Sequence, residues 1–191
     1  TKSNHCFIML IQKTNPVGID VQLQKFQSLI HTRLTAAWNV TDGYECYARA
    51  SRNKTDDGYI AEVLTAGISY KEVYWNDALT AISFFGIGQR AENEGGQFST
   101  NVHLVFFVNL SKIKPSITHR ADEEVRKDVL NACGNGMFQF HLESVETGIE
   151  NVLREYPGSR REDRLKAVDM QPQHCFRLNF SMKYKINVQD C

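Results

Sequence analysis

The string Gly86-Ile87-Gly88-Gln89-Arg90-Ala91 has the G-x-G-x-x-A spacing by which a strand turns into a pyrophosphate cradle. That chemistry needs a helix opening directly afterwards, so that its first N–H groups meet the phosphates. It also needs an acidic residue about twenty positions on for the ribose. Here Glu92-Asn93-Glu94-Gly95-Gly96 follows, which reads as a loop, and Asn109 to Lys114 carries no acid. Two glycines opening a long loop is the simpler account, and no cofactor is expected.

Other reactive patterns fare no better. The six histidines (His5, His31, His103, His119, His141, His174) include no i,i+2 or i,i+4 pair, so no metal site is read locally. His174 and Cys175 are adjacent, and neighbours on a strand face opposite ways, which separates nucleophile from base. Cys6, Cys46, Cys133, Cys175 and Cys191 form no C-x-x-C pair and read as buried or incidental thiols. Asp122-Glu123-Glu124 suits the dipole of a helix's first turn better than a metal. No P-loop, nucleophile elbow or H-E-x-x-H string occurs. No catalytic residue is assigned, and the chain is read as a non-enzyme.

Binding chemistry remains. Arg177, Lys183 and Lys185 share the polar face of one alternating strand, where they would contact phosphates or, more simply, keep a sheet edge soluble. Tyr74-Trp75, near a strand end, has the residue types of an interface anchor. Arg90, Glu92 and Glu94 fall in a polar stretch, Gly88 to Thr100, that is long for a hairpin connection and is expected to be a functional loop offering interface residues.

Several elements must position these groups. Ile19, Leu23, Phe26, Ile30, Leu34 and Ala37 predict a helix over about 20–38. Strands are expected at Tyr44 to Ala50, Tyr59 to Leu64, Ile68 to Trp75, Leu79 to Ile87 and Val102 to Val108. The last of these is apolar throughout, as in a strand covered on both faces. Ala121, Val125, Val129 and Ala132 predict a second helix; Val145, Ile149, Val152, Leu153 and Tyr156 predict a third. Phe176, Leu178, Phe180, Met182, Tyr184 and Ile186 alternate with polar residues in a closing strand. No βαβ alternation is seen. The expectation is one α+β domain over 1–191: an antiparallel sheet of five or six strands with an N-terminal helix and two later helices packed on it. The segment 139–166 would be an inserted appendage.

The 191 residues carry 22 basic and 22 acidic side chains. A neutral chain does not grip nucleic acid by bulk charge, and neutrality mildly favours self-association. The apolar run Phe7 to Ile11 is too short for a signal-peptide core or a membrane span. The sequons at Asn39, Asn53, Asn109 and Asn179 then carry no meaning, and a cytosolic location is expected.

The order of elements, together with IQKTNPVGID, YKEVYWND, VHLVFFVNLSKIKP, HRADEEVRKDV and the closing HCFRLNFSMKYKI, resembles the tail-terminator and tail-completion proteins of tailed bacteriophages and uncharacterised proteins of Bacteroidetes phages and prophages. The resemblance implies a virion structural protein. It would form a homo-oligomeric ring at the neck or tail, bind portal or tail proteins, and meet DNA only as it passes through the lumen. No site residue transfers from it. Two other readings stay open: a small cytosolic α+β enzyme with a site assembled from sequence-distant residues, and a nucleic-acid-binding module using the basic face of the last strand.

Overall fold

The four-and-three spacing after Gly18 closes into helix α1, Ile19–Trp38. Leu23, Phe26, Ile30, Leu34 and Trp38 line its buried face. Its end is fixed by Asn39, whose left-handed φ of 50° turns the next N–H, that of Val40, back onto the Thr35 carbonyl at 3.1 Å. The computed structural model describes residues 9–65, 69–134, 139–160 and 170–186.

Helix α1 joins two parallel strands, β1 (Met9–Ile11) and β2 (Tyr44–Arg49). This βαβ unit corrects the expectation that none is present. The short apolar run weighed as a failed signal peptide supplies an edge strand. A hairpin, β3 (Ser51–Thr55) and β4 (Gly58–Leu64), and a short β5 (Tyr70–Glu72) form a separate three-stranded antiparallel sheet.

Next come two long strands, β6 (Ala81–Glu94) and β7 (Gln97–Asn109). A one-turn helix α2 (Leu110–Ile113) and helix α3 (Asp122–Cys133) follow. The chain closes with β8 (Phe140–Thr147), a single turn α4 (Ile149–Val152) and β9 (Gln173–Lys185). The main sheet has the order β1-β2-β6-β7-β9-β8. The fold is α+β, as expected, but the sheet is mixed rather than antiparallel. β2 is parallel to both β1 and β6, because α1 and the small sheet act as crossovers, while β6, β7, β9 and β8 alternate in direction.

Both faces of the sheet's inner half are covered. Phe85, Val102, Leu104, Phe106, Val108, Phe176, Leu178 and Phe180 pack under α1 and α3. Ile82, Phe84, Val105, Phe107 and Cys175 pack under the small sheet and the segment Val152, Leu153 and Tyr156. Strand β7 is therefore apolar at consecutive positions, as a strand buried on both sides must be. Each such side chain contributes roughly 1.5–3 kcal/mol when fully removed from water.

Two further expectations change. The helix read from Val145 to Tyr156 is a strand, a glycine with φ 82° and one helical turn. The helical spacing misleads because these side chains do not share a face: Val145 packs on the α1 and α3 side of the sheet, and Ile149, Val152, Leu153 and Tyr156 on the other. The segment 140–147 is an edge strand of the main sheet rather than an appendage; 161–169 lie outside the described residues. The segment 88–100 is not a loop. It is the outer half of the β6–β7 hairpin, closed by Gly95-Gly96, both at positive φ as a two-residue turn requires.

Candidate functional site

Beyond the core, β6, β7 and β9 continue as a three-stranded arm. Glu92 lies opposite Ser99 and Glu94 opposite Gln97; on β7's other side Ser99 faces Lys183 and Gln97 faces Lys185. Directly opposed residues share a face of the sheet, so Glu92, Glu94, Ser99, Gln97, Lys183 and Lys185 all project from one side. Acids line one margin and bases the other, with a neutral strand between them. Two strand spacings put the rows about 10 Å apart, too far for ion pairing within the arm. Glu92 instead pairs with exposed Arg90 at 3.2 Å. Glu94, Lys183 and Lys185 have no ion-pair partner among the described residues.

The arm is stiffened locally. A register shift between Ile87 and Ala91 is closed by Thr100 Oγ1, which donates to the Arg90 carbonyl at 2.9 Å. The Gly96 N–H donates to Asn93 Oδ1 at 3.0 Å across the turn. On the opposite face Phe98 and Tyr184 stack with ring centroids 5.6 Å apart. No described strand covers either margin. Past β2, which ends its pairing at Phe85, no described strand other than β7 pairs with the outer part of β6. Strand β8 covers β9 only as far as Met182, and the Lys183 N–H reaches the Gln139 carbonyl at 3.3 Å.

A second polar cluster lies inward on the same face. Arg177 is 2% exposed, which overturns its place on a solvent-facing basic strip. Both of its terminal nitrogens donate to Glu155, at 2.5 and 3.2 Å. Its Nε donates to Asn179 Oδ1 at 2.8 Å and lies 3.4 Å from Glu146. Arg154 bridges Glu146 and Glu155 from outside. Two cations and two anions therefore balance, as a buried network must. Burial alone would raise Glu155, but the hydrogen bonds from Arg177 win and hold it at about 2.

His103 borders this network. Burial and the Arg177 cation depress it to about 4. Its Nε2 is buried without a hydrogen-bond partner and lies over Gly86, the residue opposite on β6. An open cavity of about 200 Å³ runs past His103, Arg177, Glu155 and Asn179. The cluster is the kind of sequence-distant assembly an enzyme reading requires. However, a general base must reach substrate, and this imidazole nitrogen is buried against the sheet backbone. The buried guanidinium is engaged with both carboxylates. No group of three or more His, Cys, Asp or Glu residues among the described residues is placed to hold a metal. The geometry fits a structural polar layer.

Tyr74 and Trp75 separate. Tyr74 is half-exposed, whereas Trp75 packs on the core beneath the small sheet and donates Nε1–H to Asp77 at 2.6 Å. Arg90, Glu92, Glu94, Lys183 and Lys185 are brought together on the arm; Arg177, Tyr74 and Trp75 are elsewhere. Sequence reasoning missed His103, Glu146, Arg154, Glu155 and Asn179 as a cluster. One signal was present: a histidine interrupting the apolar run Val102 to Val108.

No protein-family model matches the chain, and no curated protein matches it significantly. No helix among the described residues is long and apolar enough to cross a membrane.

Proposed function

We propose that this protein is a virion structural subunit that forms a ring at the neck or tail of a tailed bacteriophage and acts by binding rather than catalysis. The observation that carries the reading is the arm: exposed, covered at neither margin by a described strand, and charged oppositely along its two margins. Most folded chains cover or blunt their strand edges. An arm with unlike margins is suited to head-to-tail association, and a head-to-tail contact that closes on itself gives a ring. The sequence segments that resemble tail-terminator proteins support the same reading.

Other phage neck, tail or portal proteins are the partners this role implies. The protein would work in the virion after assembly in the host cytoplasm. DNA would pass the ring without sequence readout, consistent with the zero net charge. The nucleic-acid-binding alternative loses its largest cation, since Arg177 is buried and paired.

Size-exclusion chromatography with light scattering, followed by negative-stain imaging, tests the proposal. The expected result is a closed oligomer of uniform size. A monomer across concentration and salt, alone and with portal or tail proteins, would overturn it.

A further inference from the structure

We infer that the ring joint is a strand addition, in which the outer edge of β6 in one copy pairs in parallel with the outer end of β9 in the next, setting Glu92 opposite Lys185. This rests on the ring reading above and names the surface that would make it.

Strand direction comes first. β6 and β9 are both antiparallel to β7, so they are parallel to each other. A copy rotated about an axis near the strand direction therefore brings its β6 alongside β9 in parallel. An isologous joint would set β6 against β6 or β9 against β9, placing glutamate row against glutamate row or lysine row against lysine row. Like charges opposed across strands are destabilising.

Backbone alternation then gives the register. The Lys183 N–H turns away from β7, toward Gln139. Lys185, two residues on, turns its backbone groups the same way, toward an edge that no described strand covers. Ser99, opposite Lys183, must then turn its own groups toward β6, where Glu92 receives them. The groups of Ala91 and Asn93 are left facing outward. In a parallel ladder one residue bonds to the two that flank its opposite number. Lys185 thus seats between Ala91 and Asn93 of the next copy, with Glu92 on the same face.

Charge reversal tests the joint. Glu92→Lys with Glu94→Lys, and separately Lys183→Glu with Lys185→Glu, should each remain folded by circular dichroism but weaken self-association at least tenfold. The fourfold reversal should restore assembly, and an equimolar mixture of the two double variants should co-assemble. Glu92→Cys with Lys185→Cys should give oxidant-dependent covalent oligomers that neither single variant gives. Wild-type rings with unchanged assembly of both double variants would overturn this joint and leave the ring reading standing. A fourfold variant that folds but stays monomeric, or loss caused by the glutamate changes alone, would also overturn it. A wild-type chain that never associates would remove the ring reading itself.

Discussion

Gly86 lies directly opposite His103 in the β6–β7 ladder, and the position a side chain on residue 86 would occupy is filled by the imidazole Nε2. The Tyr156 hydroxyl is 2.5 Å from the same point. The glycine that began as half of a phosphate-loop string is there because a buried histidine and tyrosine need its missing methyl. Gly86→Ala should cost about 1–3 kcal/mol through overpacking. Adding His103→Ala should recover part of it, with a coupling of about 1 kcal/mol. Urea unfolding of the four members of the cycle measures this; simple additivity would show that the two sites do not compete for space.

His103 gives the fold a pH dependence with a definite sign. Its folded pKa of about 4 lies below the free value of 6.5, so the unfolded chain binds the proton more readily. The associated stability is complete above about pH 6.5 and disappears as pH falls toward 4, amounting to roughly 3 kcal/mol. Burial lowers His31 in the same direction. Glu155 acts in a lower window: its contribution is present above 4.5 and lost as pH drops toward 2. Urea midpoints at pH 7.5, 6 and 5 should fall steeply for the wild type and less for His103→Gln. Parallel curves would show that His103 titrates normally in the fold.

Arg177 should be costly to remove. Arg177→Met leaves Glu155 and Glu146 without their buried cation, and losing one partner of such a pair costs about 3–5 kcal/mol. Arg154, half-exposed, should matter by about 1 kcal/mol or less. Arg177→Met combined with Glu155→Gln should be less destabilised than the sum of the two. Thermal melts at pH 7.5 distinguish these outcomes.

Shortening the arm should separate folding from assembly. Removing Glu92 to Glu94 and their partners Gln97 to Ser99, while keeping Gly95-Gly96, takes out no buried residue and no member of either core cluster. The monomer should unfold within about 1 kcal/mol of the wild type, as surface changes do, yet fail to self-associate. Because the margins are charged, association of the full chain should also weaken as salt rises from 0.05 to about 0.5 M, where exposed charges are screened. Salt-independent assembly would assign the joint to apolar surface instead.

Much of this architecture was legible because the signal was local. Helix α1 repeats every three or four residues and β9 every two, and those periods survive in any environment. β7 announced its double burial by being apolar throughout. The parallel pairing of β1, β2 and β6 was not legible, since three residues of edge strand carry no period and their partner lies over thirty residues away. The arm read as a loop because its outer strands are exposed and mostly polar; only Gly95-Gly96 marked it as a hairpin. Arg177 was misplaced for a related reason. Alternation says which side of a strand a residue occupies, but not whether a second layer covers that side.

The arm and the core share their strands, and this governs how the protein would bear force. A pull along the arm is carried into β6, β7 and β9, whose ladder bonds run across the pulling direction. Those bonds are loaded together in shear rather than opened one by one. The projection is thus braced by the most deeply buried part of the molecule, and tension at its tip would meet the cooperative resistance of the whole sheet.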